Sequence, residues 1–120
     1  MYAGFEKWID KLLEENMPLD GVAVCINLYD EGDSEWAAQL ITAPSFDEED
    51  DEWCCDEVFS SEEDLFIWKQ KGSWEEALKK ATDALCDYLT DGKYAEELKE
   101  YEAIAIGFVD GDLDIVYKNE

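Results

Sequence analysis

Hydrophobic positions along this chain recur with two different periods. Phe5, Trp8, Ile9, Leu12 and Leu13 stand at i, i+3, i+4, i+7 and i+8, with Glu and Lys between them. That is one face of an amphipathic helix over about residues 3–16, ended by Pro18 and Gly21. The period then changes. Val22, Val24, Ile26 and Leu28 alternate with Ala23, Cys25, Asn27 and Tyr29, as in a strand. Asp30-Glu-Gly-Asp33 is turn chemistry, and Glu35 to Ala43 predicts a second strand that completes a hairpin.

Pro44 closes that hairpin and opens a polar loop at 44–61. Leu65-Phe-Ile-Trp68 predicts a short third strand. Ser73-Trp-Glu-Glu76 has the form of a capping box, a Ser at the N-cap with Glu three residues on. Trp74, Ala77, Leu78, Ala81, Leu85, Tyr88 and Leu89 keep helical spacing behind it, so a helix is expected from about Trp74 to Leu89, with Gly92 as its stop. Tyr94 to Lys99 adds a further turn or two. Ile104, Ile106 and Phe108 share one face of a strand, Asp110-Gly111 suits a two-residue type I′ turn, and Leu113 to Tyr117 returns.

The expected order is therefore α-β-β-β-α-β-β, an α+β fold in a single domain spanning 1–120. Hairpins at both ends predict an antiparallel sheet of about five strands. The two main helices would pack on one face and leave the other free for a partner.

Charge changes the picture most. The chain carries 33 acidic residues against nine Lys, with no Arg and no His, for a formal charge of −24. Such a surface repels DNA, RNA and anionic lipid. Without Arg there is no bidentate fork for phosphate. No segment has the length and apolarity of a membrane span. The N-terminus lacks the basic and apolar regions of a signal peptide, which suggests a cytoplasmic protein with reduced thiols.

The excess peaks at one place. Asp47, Glu48, Glu49, Asp50, Asp51, Glu52, Asp56 and Glu57 are carboxylates within eleven residues that contain no base. In extended chain that is one charge per about 4.5 Å, close to the roughly 3.4 Å per charge of a polynucleotide strand. Such a run is either a solvated loop or a surface for something basic. Trp53 lies inside it, with Phe46 and Phe59 at its edges. These rings would either anchor a partner or tuck under the loop and pin it to the sheet. The candidate partner-binding residues are thus Asp47, Glu48, Glu49, Asp50, Asp51, Glu52, Trp53, Asp56 and Glu57.

Catalytic and metal chemistry find little support. Without His, the commonest general base is missing and no Ser–His or Cys–His pair can form. No phosphate-binding glycine loop or nucleophile elbow occurs. Asp110-Gly-Asp-Leu-Asp114 has its Gly at the wrong position for a calcium loop. Cys25, Cys54, Cys55 and Cys86 lack zinc spacing and are expected as small buried apolar groups. The expectation is a protein without cofactor or metal that is not an enzyme.

The stretches Asp50-Asp-Glu-Trp-Cys-Cys-Asp-Glu-Val-Phe59 and Ile104-Ala-Ile-Gly-Phe-Val-Asp-Gly-Asp-Leu-Asp-Ile-Val-Tyr117, in a small acidic Trp-rich α+β chain, resemble bacterial immunity proteins. These are the antitoxins of contact-dependent and polymorphic toxin systems. The resemblance implies tight binding to a cognate toxin domain, often a basic nuclease. Two other functions use the same charge: a DNA mimic that blocks a nucleic-acid-binding protein, and an acidic adaptor whose charge serves only solubility.

Overall fold

The structure, a computed structural model, describes residues 2–16, 20–49, 53–54, 56–61, 64–109, 111 and 113–119. The chain runs α1 (Tyr2–Asn16), β1 (Ala23–Gly32), β2 (Glu35–Ala43), β3 (Phe59–Ser60), β4 (Phe66–Lys69), α2 (Trp74–Asp91), α3 (Ala95–Leu98), β5 (Ala103–Phe108) and β6 (Leu113–Lys118). The α+β class and both terminal hairpins follow the sequence pattern. The sheet does not follow it fully.

Strand order is β3-β2-β1-β5-β6, with β4 also paired to β2, and β1 runs parallel to β5. The sheet is mixed rather than antiparallel. Two antiparallel hairpins meet side by side at the centre, and the crossover through α2 brings β5 in beside β1 in the same direction. The reason lies in the side chains of those two strands. Ala23 to Leu28 and Ala103 to Gly107 are buried without interruption, as strands covered on both faces must be. Large residues (Val24, Ile26, Leu28, Ile104, Ile106) point to the helices, and small ones (Ala23, Cys25, Ala103, Ala105) point away.

The helix side holds the main core. Phe5, Trp8, Ile9, Leu12 and Leu13 of α1 lie on it as the periodicity requires. From α2 come Ala77, Ala81, Ala84, Leu85, Tyr88 and Leu89. Trp74, expected in the same stripe, is instead 55% exposed. It is the first helical residue and sits beyond the rim of the core.

The capping box forms: the Glu76 N–H donates to Ser73 Oγ at 3.3 Å, and the Ser73 N–H donates to Glu76 Oε1 at 3.4 Å. At the other end of α2, Gly92 is needed for space rather than for a positive φ. A Cβ there would meet the Tyr88 carbonyl oxygen at 2.5 Å.

The turns differ in detail from expectation. The β1–β2 turn is Asp33-Ser34, both at positive φ (53° and 63°), the backbone of a type I′ turn. Between β5 and β6, the last pair among the described residues is Gly107 with Leu113. Gly111 does not take a positive φ, and Asp110, the other residue of the expected turn, lies outside the described residues. A third difference is an edge strand in two pieces. β3 pairs with the end of β2 and β4 with its beginning. Between them, Ser61 bonds Leu40 through both its backbone N–H and its Oγ.

Tyr88 ties the helical layer together. Its hydroxyl donates to Asp10 Oδ1 at 2.6 Å and accepts from the Tyr94 N–H at 3.2 Å. Burial, reinforced by the bond to Asp10, pushes its phenol far above the ordinary range. The folded chain therefore keeps a proton that the unfolded chain releases near pH 10. The associated stability is fully present below about pH 10 and is lost as pH rises further. Tyr88→Phe should lower stability by about 2 kcal/mol near neutral pH. Urea unfolding followed from neutral to strongly alkaline pH should show a shallower alkaline decline in the variant. An alkaline limb identical to that of the unsubstituted chain would mean that Tyr88 does not govern it.

Candidate functional site

The described parts of the acidic segment leave the end of β2, lie on the sheet face opposite the helices, and rejoin β2. Small side chains make this possible. Ala23, Cys25, Ala43, Ala103 and Ala105 are fully buried on that face and form a flat floor across three strands with Ile41. Phe46 and Trp53 lie on this floor, edge to face, with ring centroids 5.2 Å apart at 78°. Leu113 and Ile115 of β6 border it. At the far edge, Glu48 forms an ion pair with Lys118 of β6. On the return, the Val58 N–H donates to the Thr42 carbonyl at 2.8 Å and restores pairing with β2.

Trp53 is thus 4% exposed and part of the chain's own second core. It pins the flap to the sheet; in this conformation it does not stand outward to meet a partner. Phe59 packs against the helix-side core. The carboxylates have the opposite placement. Asp47, Glu48, Glu49, Asp56 and Glu57 are all exposed, and Asp47 accepts a hydrogen bond from the Glu49 N–H at 3.0 Å. Asp50, Asp51 and Glu52 lie outside the described residues. The arrangement is an apolar underside with charge on top.

The flap covers only part of the face expected to be open. Beyond it, Tyr29 donates to Gln39 Oε1 at 2.9 Å, and the Gln39 amide donates to Ser60 Oγ at 3.0 Å. Ile67 and Val109 are the exposed apolar residues of this half. Burial, then the neighbouring Glu57 carboxylate, pushes the Tyr29 phenol up. One carboxylate of the flap therefore borders the uncovered half.

The cysteines divide. Cys25 is buried in the floor and Cys54 is half-buried, but Cys86 is exposed on the outer face of α2, contrary to expectation. Partial burial, with Asp83 and Asp87 beside it, pushes the Cys86 thiol up. That keeps it protonated and a poor nucleophile. Cys55, like Asp110 and Asp112 of the calcium-like stretch, lies outside the described residues. No cluster of three or more metal-ligating side chains forms among the described residues. No described helix is long and apolar enough to cross a membrane.

Compensation of the acidic charge is local. Among the described residues, Lys11 pairs with Asp64, Lys79 with Asp83, Lys93 with Glu14 and Lys118 with Glu48. Exposed pairs of this kind contribute little stability. Trp53 also has an indole N–H that is buried with no hydrogen-bond partner. The flap is therefore held by apolar contact rather than by polar bonding through that ring.

Compared with protein-family models, with curated proteins and with solved structures, the chain matches none.

Two outcomes follow from this geometry. Trp53→Ala should destabilise the chain by about 3–5 kcal/mol. It should also open 44–58 to a Glu-specific protease well before global unfolding. Wild-type resistance in the variant would show that Trp53 does not hold the flap. The second concerns salt. At about 0.01 M ionic strength the Debye length is about 30 Å, comparable to the 36 × 30 × 25 Å molecule, so the excess acidic charges repel one another across the whole molecule. Thermal unfolding midpoints should rise on going to about 0.15 M, where screening shortens to about 8 Å. A flat response would argue that the charges are too dispersed to strain the fold.

Proposed function

We propose that this chain is a non-enzymatic inhibitor of the immunity-protein kind, which binds and neutralises a basic toxin domain, of nuclease type, in the cytoplasm. The supporting observation is the flap itself. The exposed carboxylates at 47–49 and 56–57 flank two rings packed on the sheet, Trp53 buried and Phe46 partly buried, so their charge is presented from a fixed position rather than from a free tail. Fixed charge complementary to a basic cleft speeds encounter and rejects wrong partners. A partner evolved to grip phosphate carries the matching positive surface. Asp47, Glu48, Glu49, Asp56 and Glu57, together with Asp50, Asp51 and Glu52 between them, form the steering surface. Trp53 serves it from beneath.

The test is co-expression with basic, nuclease-type toxin domains from the same genome. Cells should be protected, and the purified pair should form a stoichiometric complex in which the toxin is inactive. A toxin that stays fully active in such a complex would overturn inhibition. The triple substitution Glu49→Lys, Asp56→Lys and Glu57→Lys leaves the aromatic base intact. It should slow association by about tenfold or more and weaken its salt dependence. Association at the wild-type rate would remove the flap from the recognition surface.

A further inference from the structure

Of the five Trp residues, Trp8, Trp36, Trp53 and Trp68 are 8% exposed or less, whereas Trp74 is 55% exposed. It belongs neither to the flap nor to the core. Its ring is nonetheless held in place. The capping box fixes the first turn of α2. Trp74 stands edge to face on Phe108, centroids 6.1 Å apart at 88°, and Phe108 stands on Trp36 at 5.8 Å. Trp36 in turn donates its indole N–H to the Gln70 carbonyl at 2.9 Å.

Two hollows border this ring. One, of about 320 Å³, is lined by Asp30, Trp74, Phe108 and Gly111. The other, of about 410 Å³, runs along α2 from Trp74 past Leu78 to Asp114. Lys79 also borders it, but its ammonium is paired with Asp83 at 2.9 Å. Asp30 and Asp114 come from β1 and β6, on the helix side of the sheet, where they pair in register with Trp36 and Ile106.

We propose that Trp74 is the floor of a receptor for an arginine side chain of a partner protein. The guanidinium would lie on the exposed indole face and reach the carboxylate of Asp30 or Asp114. Three features select this occupant. An indole face attracts cations, and a planar guanidinium can both stack on it and fork to a carboxylate. Carboxylates on both sides exclude phosphate and other anions. Hollows of this size lie at the small end of the range for ligand pockets and have room for a side chain. The inference shares with the reading above only the idea of a basic partner, and it rests on different residues.

The probe is N-acetyl-L-arginine amide, with the neutral citrulline analogue as control. Because the other four rings are buried, acrylamide quenching reports mainly on Trp74. The arginine amide should protect the fluorescence saturably and shift the Trp74 indole N–H resonance. Both effects should vanish in Trp74→Ala and fall severalfold in Asp30→Asn with Asp114→Asn. Asn at 30 can still accept the bond that Asp30 Oδ1 receives from the Gly32 N–H at 2.9 Å, so the turn should survive; circular dichroism checks it. Equal protection by the citrulline analogue, or by sodium chloride at the same concentration, would overturn the proposal. With a partner in hand, Trp74→Ala should speed dissociation about tenfold or more, whereas the flap substitutions slow association. The probe result stands whether or not any toxin is neutralised, so the two proposals fail separately.

Discussion

The parallel contact between β1 and β5 is the constraint on which the rest of the structure depends. It places two strands at the sheet centre with both faces covered, and each face requires a different size of side chain. Val24, Ile26, Leu28, Ile104 and Ile106 fill the space beneath two helices. Ala23, Cys25, Ala103 and Ala105 leave a floor low enough for the flap to lie on. A larger residue at any of these small positions would push Trp53 away from the sheet, because close-packed interiors transmit such strain. Phe46 and Trp53 can lie on the sheet only because the strands below them are small on that face.

Much of the fold was legible in the sequence. The stripe of Phe5, Trp8, Ile9, Leu12 and Leu13 marked α1, and Ser73 with Glu76 marked the start of α2. Both are local signals, carried by residues within a turn or two of each other. Strand direction was not legible in the same way. A hairpin announces its own antiparallel pair but says nothing about which strand lies beside it. The available clue was weaker: β1 and β5 alternate large apolar with small apolar residues rather than apolar with polar. That is the pattern of a strand covered on both sides. The extra strand β3, only two residues long, left no pattern to read.

The site was legible by charge and obscure by packing. The exposed carboxylates at 47–49 and 56–57 stand where composition placed them. The rings did not announce their roles. Trp53, within the acidic run, turned inward because an alanine floor was available, and only tertiary structure reveals that floor. Trp74, within an apolar helical stripe, turned outward because the first residue of a helix projects past the core edge. Period misplaces Trp74 and leaves Trp53 open between two placements, since burial is decided by what lies opposite rather than by neighbours in sequence.

The flap and Trp74 occupy opposite faces of the sheet. The flap lies beyond the alanine floor and Trp74 on the helix side. A standard interface buries about 800 Å² per partner, and on a molecule of 36 × 30 × 25 Å a flat contact of that size does not reach both. If both proposals hold, the two patches divide the work by range. Charge acts through solvent over about a Debye length, roughly 8 Å at physiological salt, so the flap steers a basic domain that approaches its own face from just outside the final contact. An indole acts only at van der Waals distance and must lie within it. Steering and retention would then be separable on this surface, and packing holds both places: the flap by Trp53 against alanine, the platform by Phe108 against Trp36. Rigid support without direct contact is what the flap would need, and rigid support with an exposed face is what Trp74 has.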